Sequence, residues 1–188
     1  YFRPLSQTKF INDANLVSYW KLDGNSNDSK GANNGTDTSM SYGAGQFDSA
    51  GVFNGSSSQI TLPNITALSG STARTISLWV NPTTLSGMRT CYCSGASSAQ
   101  ALCSLYLNTA SSNDIYWAFS GNDYYTSTNQ VSTGTYQNII AVYDGGTLST
   151  STVHIYVNGV SKSLTKAGSG TGGANTTNSG FGIGYDAT

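Results

Sequence analysis

The chain has 188 residues and a formal net charge of −1, with eight basic and nine acidic residues. That length fits one domain with a sizeable core. The basic residues are scattered singly, which excludes a stripe that could neutralise a nucleic-acid backbone, and no apolar run reaches the ~20 residues needed to span a bilayer. The sequence therefore predicts neither a nucleic-acid partner nor a membrane span.

Short runs of apolar, β-branched and aromatic residues recur along the chain between clusters of Gly, Asn, Ser and Asp. Residues 1–15 precede them without clear periodicity, and we predict an N-terminal arm or linker there, followed by a β-domain at 16–188. The predicted strands are 16–21, 51–53, 59–62, 75–81, 90–93, 102–107, 114–119, 136–143, 153–158, 160–164 and 181–185. No ten-residue helical pattern interrupts them, so the predicted fold class is all-β, an antiparallel β-sandwich.

Alternation and turn residues refine three of these segments. Ile76 and Leu78 share one strand face and Trp79 takes the other, which predicts a central strand covered on both sides. Asn158-Gly159 is a favoured type I′ turn sequence, so residues 153–164 are predicted to form a hairpin. The glycine-rich segment 168–179 is predicted to be a flexible loop.

The loop at residues 23–36 is rich in side-chain oxygens. Asp23, Asp28 and Asn34 offer the carboxylate and amide oxygens that calcium prefers, which makes calcium a candidate cofactor. A loop of hydrogen-bonded Asx-turns without an ion explains the same residues, and both interpretations stay open.

Four segments carry a family resemblance: residues 16–36 (LVSYWKLDGNSNDSKGANNGT), 46–63 (QFDSAGVFNGSSSQITLP), 75–82 (TISLWVNP) and 139–159 (IIAVYDGGTLSTSTVHIYVNG). Together they resemble the laminin-G-like, concanavalin A-like lectin and glucanase family, over residues 16–185. The resemblance implies a jelly-roll β-sandwich, and Asp28 matches the aspartate that many members carry after their first strand. It also implies a recognition or adhesion domain located outside the cell or at the cell surface, with a glycan or cell-surface polysaccharide as partner.

Catalysis is not predicted. The chain contains no glutamate, so the Glu-x-Asp-x-Glu strand of the glycan-cleaving relatives has no match, and no two aspartates stand at same-face strand spacing. The single histidine, His154, lies between Val153 and Ile155 and is predicted to be an ordinary strand residue.

Glycan binding has its own candidates, which are Trp117, Asn122, Asp123, Tyr124 and Tyr125. Aromatic faces stack on sugar rings, and Asn and Asp side chains hydrogen-bond sugar hydroxyls. Gly121, Asn122 and Asp123 are predicted to form a turn that displays these groups.

Three cysteines, Cys91, Cys93 and Cys103, fall within a short stretch. A bond between Cys91 and Cys93 would close a strained ring, so a bond from Cys103 is the better pairing, and Cys93–Cys103 is the predicted disulfide. Three buried, reduced thiols are the alternative, because an odd count is weak evidence for an oxidising compartment.

Family members usually continue, after the strand matched here by Gly182-Ile183-Gly184, into a closing strand that is expected to be missing from this chain. The strand at 16–21 would then have an open edge, which invites strand addition. A truncated chain, the arm at 1–10 or another subunit would each explain the gap. The alternative function is therefore a structural subunit of a surface appendage, filament or particle that self-associates through this edge.

Overall fold

A computed structural model describes residues 11–98, 100–107 and 112–184 of the chain. Residues 1–10 of the arm predicted at 1–15, and the end of the predicted last strand, including Tyr185, lie outside the described residues. The chain divides into two compact units, Tyr1–Pro63 and Asn64–Thr188. The prediction of a single domain over 16–188 is not tested by this division.

The first unit contains two short antiparallel strand pairs. Its described strands are β1 (Thr36–Thr38), β2 (Ser41–Ala44), β3 (Ser49–Val52) and β4 (Gln59–Thr61). β1 pairs with β4, and β2 forms a hairpin with β3. The prediction of a strand at 16–21 is wrong, since the only β-pairing there is an isolated bridge between Trp20 and Asp28.

The second unit is an antiparallel sandwich of two sheets. A 3-10 turn (Thr66–Leu68) precedes strands β5 (Arg74–Val80), β6 (Arg89–Gly95), β7 (Leu102–Leu107), β8 (Ile115–Ala118), β9 (Asp123–Thr126), β10 (Gln137–Tyr143), β11 (Val153–Val157), β12 (Val160–Lys162), β13 (Leu164–Ala167) and β14 (Gly182–Ile183). One sheet of the unit has the order β14-β6-β7-β8-β9-β13 and the other the order β12-β11-β10-β5. The described residues contain no helix long and apolar enough to cross a membrane.

The core of this unit lies between the inner faces of the two sheets. Ile139, Ala141 and Tyr143 of β10 are completely buried and alternate with half-buried residues, as expected for a strand with one covered face. Phe119 directly follows β8 of the other sheet, and its ring centroid lies 5.7 Å from that of Tyr143. Contacts of this kind between large rings bury much apolar area, and apolar burial is the main stabilising term of folding.

The structure confirms one refinement of the sequence analysis and corrects two. Asn158 and Gly159 both have positive φ, as a type I′ turn requires, and connect β11 to β12. β5 is an end strand of its sheet, not a central one, and Trp79 on its outer face is 44% exposed. The glycine-rich segment is held by backbone hydrogen bonds, among them Gly170 N–H to Gly121 O at 2.9 Å, so it is not a free loop.

Arg74 is a buried cation that the sequence analysis missed. It is 6% exposed, at the start of β5. Its guanidinium donates hydrogen bonds to the carbonyl oxygens of Leu68, Gly70 and Thr72 and to Thr176 Oγ1. The side chain thus ties the segment before β5 to the glycine-rich segment, in place of a carboxylate partner.

Candidate functional site

Two tyrosines form an aromatic platform on the outer face of the large sheet. Tyr116 of β8 and Tyr125 of β9 are directly opposite each other in the antiparallel register, so their side chains project from the same face. Their rings are parallel within 8°, with centroids 5.9 Å apart, which is an offset-stacked arrangement. Both side chains are half-buried, which leaves part of each ring accessible.

The platform forms one wall of a groove of about 290 Å³, here called the tyrosine groove. Besides Tyr116 and Tyr125, its lining consists of hydroxyl groups and one carboxylate: Ser112, Asp114, Thr126, Ser127 and Thr128. Aromatic rings beside hydroxyls and a carboxylate are the groups that recognise the apolar faces and the hydroxyls of a sugar.

Asp123 holds the Tyr116 ring of the platform in place through hydrogen bonds. Its Oδ1 accepts the N–H of Phe119 at 2.7 Å, which closes the turn between β8 and β9, and its Oδ2 accepts the phenol O–H of Tyr116 at 3.0 Å. Burial, the negative charge of Asp123 and this hydrogen bond all raise the pKa of Tyr116. Tyr116 therefore stays a protonated donor with a fixed ring orientation.

The rim of the groove is braced by its own hydrogen bonds. Gln130 Nε2 donates to Ser127 Oγ at 3.0 Å and to the Thr128 carbonyl at 2.9 Å. The N–H of Asn129, whose φ is 60°, bonds the Ser112 carbonyl across the groove at 2.8 Å. Since Asn tolerates this left-handed conformation better than most residues, the local sequence suits the turn. A rim held this way loses little conformational freedom when a ligand binds.

Three of the predicted glycan-binding residues are in the core, which corrects that part of the prediction. Trp117, Asn122 and Tyr124 are each 0% exposed. Trp117 Nε1 donates to Cys103 Sγ at 3.3 Å, and the Tyr124 phenol donates to Asn122 Oδ1 at 3.2 Å. A sugar ring cannot stack on a side chain that has no accessible surface, so these three residues belong to the core beneath the site.

The other two predicted residues are at the site, in different roles. Tyr125 lines the groove, whereas both oxygens of Asp123 are already engaged by Phe119 and Tyr116. Tyr116 was not among the predicted site residues. Alternation along β8 carries the missing signal, because Tyr116 and Trp117 are adjacent and must project to opposite faces, so only one of them could be core.

The loop predicted to bind calcium is organised by Asp28. The side chain is buried, and its Oδ1 accepts the N–H groups of Tyr19 and Lys30, at 2.8 and 2.9 Å. Its Oδ2 accepts those of Ala32 and Asn33, at 3.3 and 3.1 Å. Burial acts to raise the pKa of Asp28, but the four backbone hydrogen bonds outweigh it and hold that pKa below the usual value.

The other two calcium candidates do not complete a ligand set with Asp28. Asn34 Oδ1 accepts the Asp28 N–H at 2.9 Å, and Asp23 is exposed at the border of a separate shallow cleft. In the described part of the chain no three His, Cys, Asp or Glu side chains are grouped as metal ligands would be. The residues present thus fit the Asx-turn interpretation and do not fit a calcium ion. Calcium binding itself stays an untested prediction.

The predicted Cys93–Cys103 disulfide is not formed, and the strand register explains why. Cys93 is opposite Ser104, and Cys103 is opposite Ser94. Residues directly opposite each other share a face, so the two cysteines project to opposite sides of the sheet and cannot be bridged. Cys91, Cys93 and Cys103 are all reduced thiols outside any disulfide, and burial raises the pKa of Cys103. The alternative of three reduced cysteines is the one that the structure shows.

His154 is remote from the groove in the strand order. It lies on β11 of the smaller sheet, and its Nε2 is 3.0 Å from Asp144 Oδ2. Its side chain is 32% exposed, so the pair is a surface ion pair when the histidine is protonated. Such pairs contribute little to stability, and nothing in the placement of His154 points to catalysis.

Comparison with known proteins agrees with the architecture. No curated protein matches the chain. The family model described as the concanavalin A-like lectin/glucanases superfamily, of laminin G type, matches residues 54–188. That match spans more than half of the chain, and the all-β antiparallel structure is the one the family requires. The chain therefore belongs to the concanavalin A-like lectin/glucanases superfamily.

Proposed function

We propose that this protein is a non-catalytic carbohydrate-recognition domain that binds glycans in the tyrosine groove. The observation that carries the proposal is the offset-stacked pair of Tyr116 and Tyr125 beside hydroxyls and a carboxylate. The family supports it at a coarser level, because a lectin-like or adhesion role fits the superfamily. An extracellular or cell-surface location is part of the same proposal.

The carboxylates at the groove favour glycan binding without hydrolysis. A glycosidase needs two carboxyl groups free to act on the glycosidic bond, one as acid and one as nucleophile or base. Asp123 is committed to the Phe119 N–H and the Tyr116 phenol. Among the described residues that line the groove, Asp114 is then the only carboxylate, which is one fewer than hydrolysis requires.

The appendage alternative has no comparable support among the described residues. One ground for it was an open-edged strand at 16–21, and the structure shows only the bridge at Trp20 there. Self-association through a sheet edge remains an untested prediction, which the oligomeric state of the purified chain would answer.

The proposal is tested by glycan-array binding of the parent protein and of Tyr125→Ala and Tyr116→Ala. We expect saturable binding by the parent and at least about tenfold weaker binding by both variants, because each loses one ring of the platform. Tyr156→Ala is the matched control. Tyr156 is a half-buried tyrosine on β11 of the other sheet, and its removal should leave binding intact.

Two outcomes would contradict the proposal. One is the absence of binding to any glycan by a correctly folded parent protein. The other is binding that survives both groove variants or is lost equally in Tyr156→Ala, since glycans would then bind elsewhere.

A further inference from the structure

Among the described residues that line the tyrosine groove, the one charged side chain is the carboxylate of Asp114. Asp114 is 4% exposed, and none of the other lining residues is basic. Asp123 lies directly behind Tyr116 and is bonded to its phenol. Asp114 lines the same groove as Tyr116, and the negative charges of both aspartates raise the pKa of Tyr116.

A ligand charge would therefore feel the two carboxylates at short range. A carboxylate that is largely withdrawn from water interacts more strongly with another charge than an exposed one does, because the local dielectric is lower. It repels an acidic group on a sugar and attracts a protonated amine. The tyrosine ring faces act in the same direction, since their negative quadrupole attracts cations and not anions.

We propose that the tyrosine groove selects glycan units without acidic groups, and that it binds a unit carrying a protonated amine more tightly than the same unit in its N-acetylated form. Asp114 is the residue that makes this distinction, because it is the carboxylate on the lining itself. The inference rests on the proposed carbohydrate binding and adds the ligand class to it.

The test compares oligosaccharides of equal length in one direct binding assay at mildly acidic pH. The three probes are oligomers of glucosamine, of N-acetylglucosamine and of galacturonic acid. We expect the glucosamine oligomer to bind about tenfold more tightly than the N-acetylated one, and the galacturonic acid oligomer to bind at least about tenfold more weakly than the N-acetylated one.

The outcomes separate the two levels of the proposal. Equal binding of the amine and N-acetyl oligomers, or preferred binding of the acidic one, overturns the charge selection and leaves carbohydrate recognition standing. Binding of none of the three, together with a silent glycan array, overturns both.

Asp114→Asn isolates the carboxylate at nearly constant shape. We expect this variant to bind the amine and N-acetyl oligomers equally, while Tyr156→Ala keeps the preference of the parent. If Asp114→Asn does not fold, the salt dependence of oligosaccharide binding by the parent protein tests the role of the carboxylate instead. The preference for the amine should shrink as the salt concentration rises, because ions screen the attraction, and a salt-independent preference would overturn the role of the carboxylate.

Discussion

Replacing Arg74 tests whether a buried cation organises one end of the sandwich. In Arg74→Met the apolar part of the side chain is retained and the guanidinium is lost. Three carbonyl oxygens, those of Leu68, Gly70 and Thr72, then lose a charged donor, and so does Thr176 Oγ1. The expected result is a large fall in the free energy of unfolding.

The magnitude follows from what happens to each acceptor. A hydrogen bond to a charged group contributes about 1.5–3 kcal/mol, and a buried carbonyl left without a partner costs about 1–3 kcal/mol. Thr72 is exposed, so water can replace its bond, and the Gly70 carbonyl keeps the N–H of Thr176 at 3.3 Å. Leu68 and Thr176 suffer the fuller loss, and removal of the desolvated charge offsets part of it. The sum is about 3 kcal/mol, close to the ~3–5 kcal/mol typical of breaking a buried charged pair.

The assay is urea denaturation followed by tyrosine and tryptophan fluorescence, with the melting temperature as a second measure. Arg74→Met should unfold about 3 kcal/mol more easily and melt roughly 10 °C lower, given ~2–4 °C per kcal/mol at this chain length. Arg74→Lys keeps the charge without the planar fork and should fall between Met and the parent. Arg89→Met is the control, because Arg89 is half-buried on β6 and its side chain shows no hydrogen bond to any described residue.

Two results would refute the reasoning about Arg74. The first is a stability of Arg74→Met within about 0.5 kcal/mol of the parent, which would mean that water satisfies all the freed acceptors. The second is a full rescue by Arg74→Lys, which would mean that the charge matters and the forked geometry does not.

The remaining predictions concern the loop of Asp28, the glycines and the thiols. Because the pKa of Asp28 is lowered in the folded protein, the stability it contributes is present above about pH 4 and is lost as the pH falls through the folded pKa. Asp28→Asn should lower the free energy of unfolding by about 2 kcal/mol at neutral pH and should weaken the loss of stability at acidic pH, as measured by urea denaturation. An unchanged loss of stability at acidic pH would contradict this. Calcium removal with a chelator should leave the melting temperature unchanged, whereas a fall would reveal a metal site. Gly173→Ala should destabilise by more than Gly43→Ala, since a Cβ at 173 would lie 2.5 Å from the Gly146 carbonyl oxygen, whereas one at 43 would meet only a methyl group of Val52, at 3.3 Å. Calorimetry that shows the two variants equally stable would refute this. Thiol titration of the unfolded, unreduced protein should count three reactive thiols, and a count of one would support the Cys93–Cys103 disulfide instead.

Alternation made the inner faces of the sheets predictable from the sequence. The β11–β12 hairpin, with its Asn-Gly turn and three aliphatics on one face, is as predicted. Alternation could not assign the faces of the strands rich in aromatic residues, because a tyrosine suits a core and a surface equally well. Tyr116 and Tyr124 illustrate this, because one lines a groove and the other is completely buried.

Other features could not be predicted from the sequence because they depend on contacts between residues far apart in the chain. No strand was predicted at β9, where only the turn at 121–123 was expected, and pairing with β8 and β13 makes Asp123–Thr126 a strand. Arg74 could not be singled out, since its partners at 68–72 and at 176 come together only in the folded chain. The glycine-rich segment looked flexible by composition, yet a Cβ at Gly168 would sit 2.3 Å from the Gly121 carbonyl oxygen. Glycine there permits a close backbone approach.

Asp123 connects the fold to the proposed site. By accepting the Phe119 N–H it sets the β8–β9 turn, and that turn fixes the register in which Tyr116 faces Tyr125. By accepting the Tyr116 phenol it also fixes the ring that a sugar would contact. A ligand contact would demand a free carboxylate, so the residue first expected to bind the glycan acts as a positioning residue instead. Loss of Asp123 should thus weaken glycan binding and stability together, whereas loss of Asp114 should change which glycans bind.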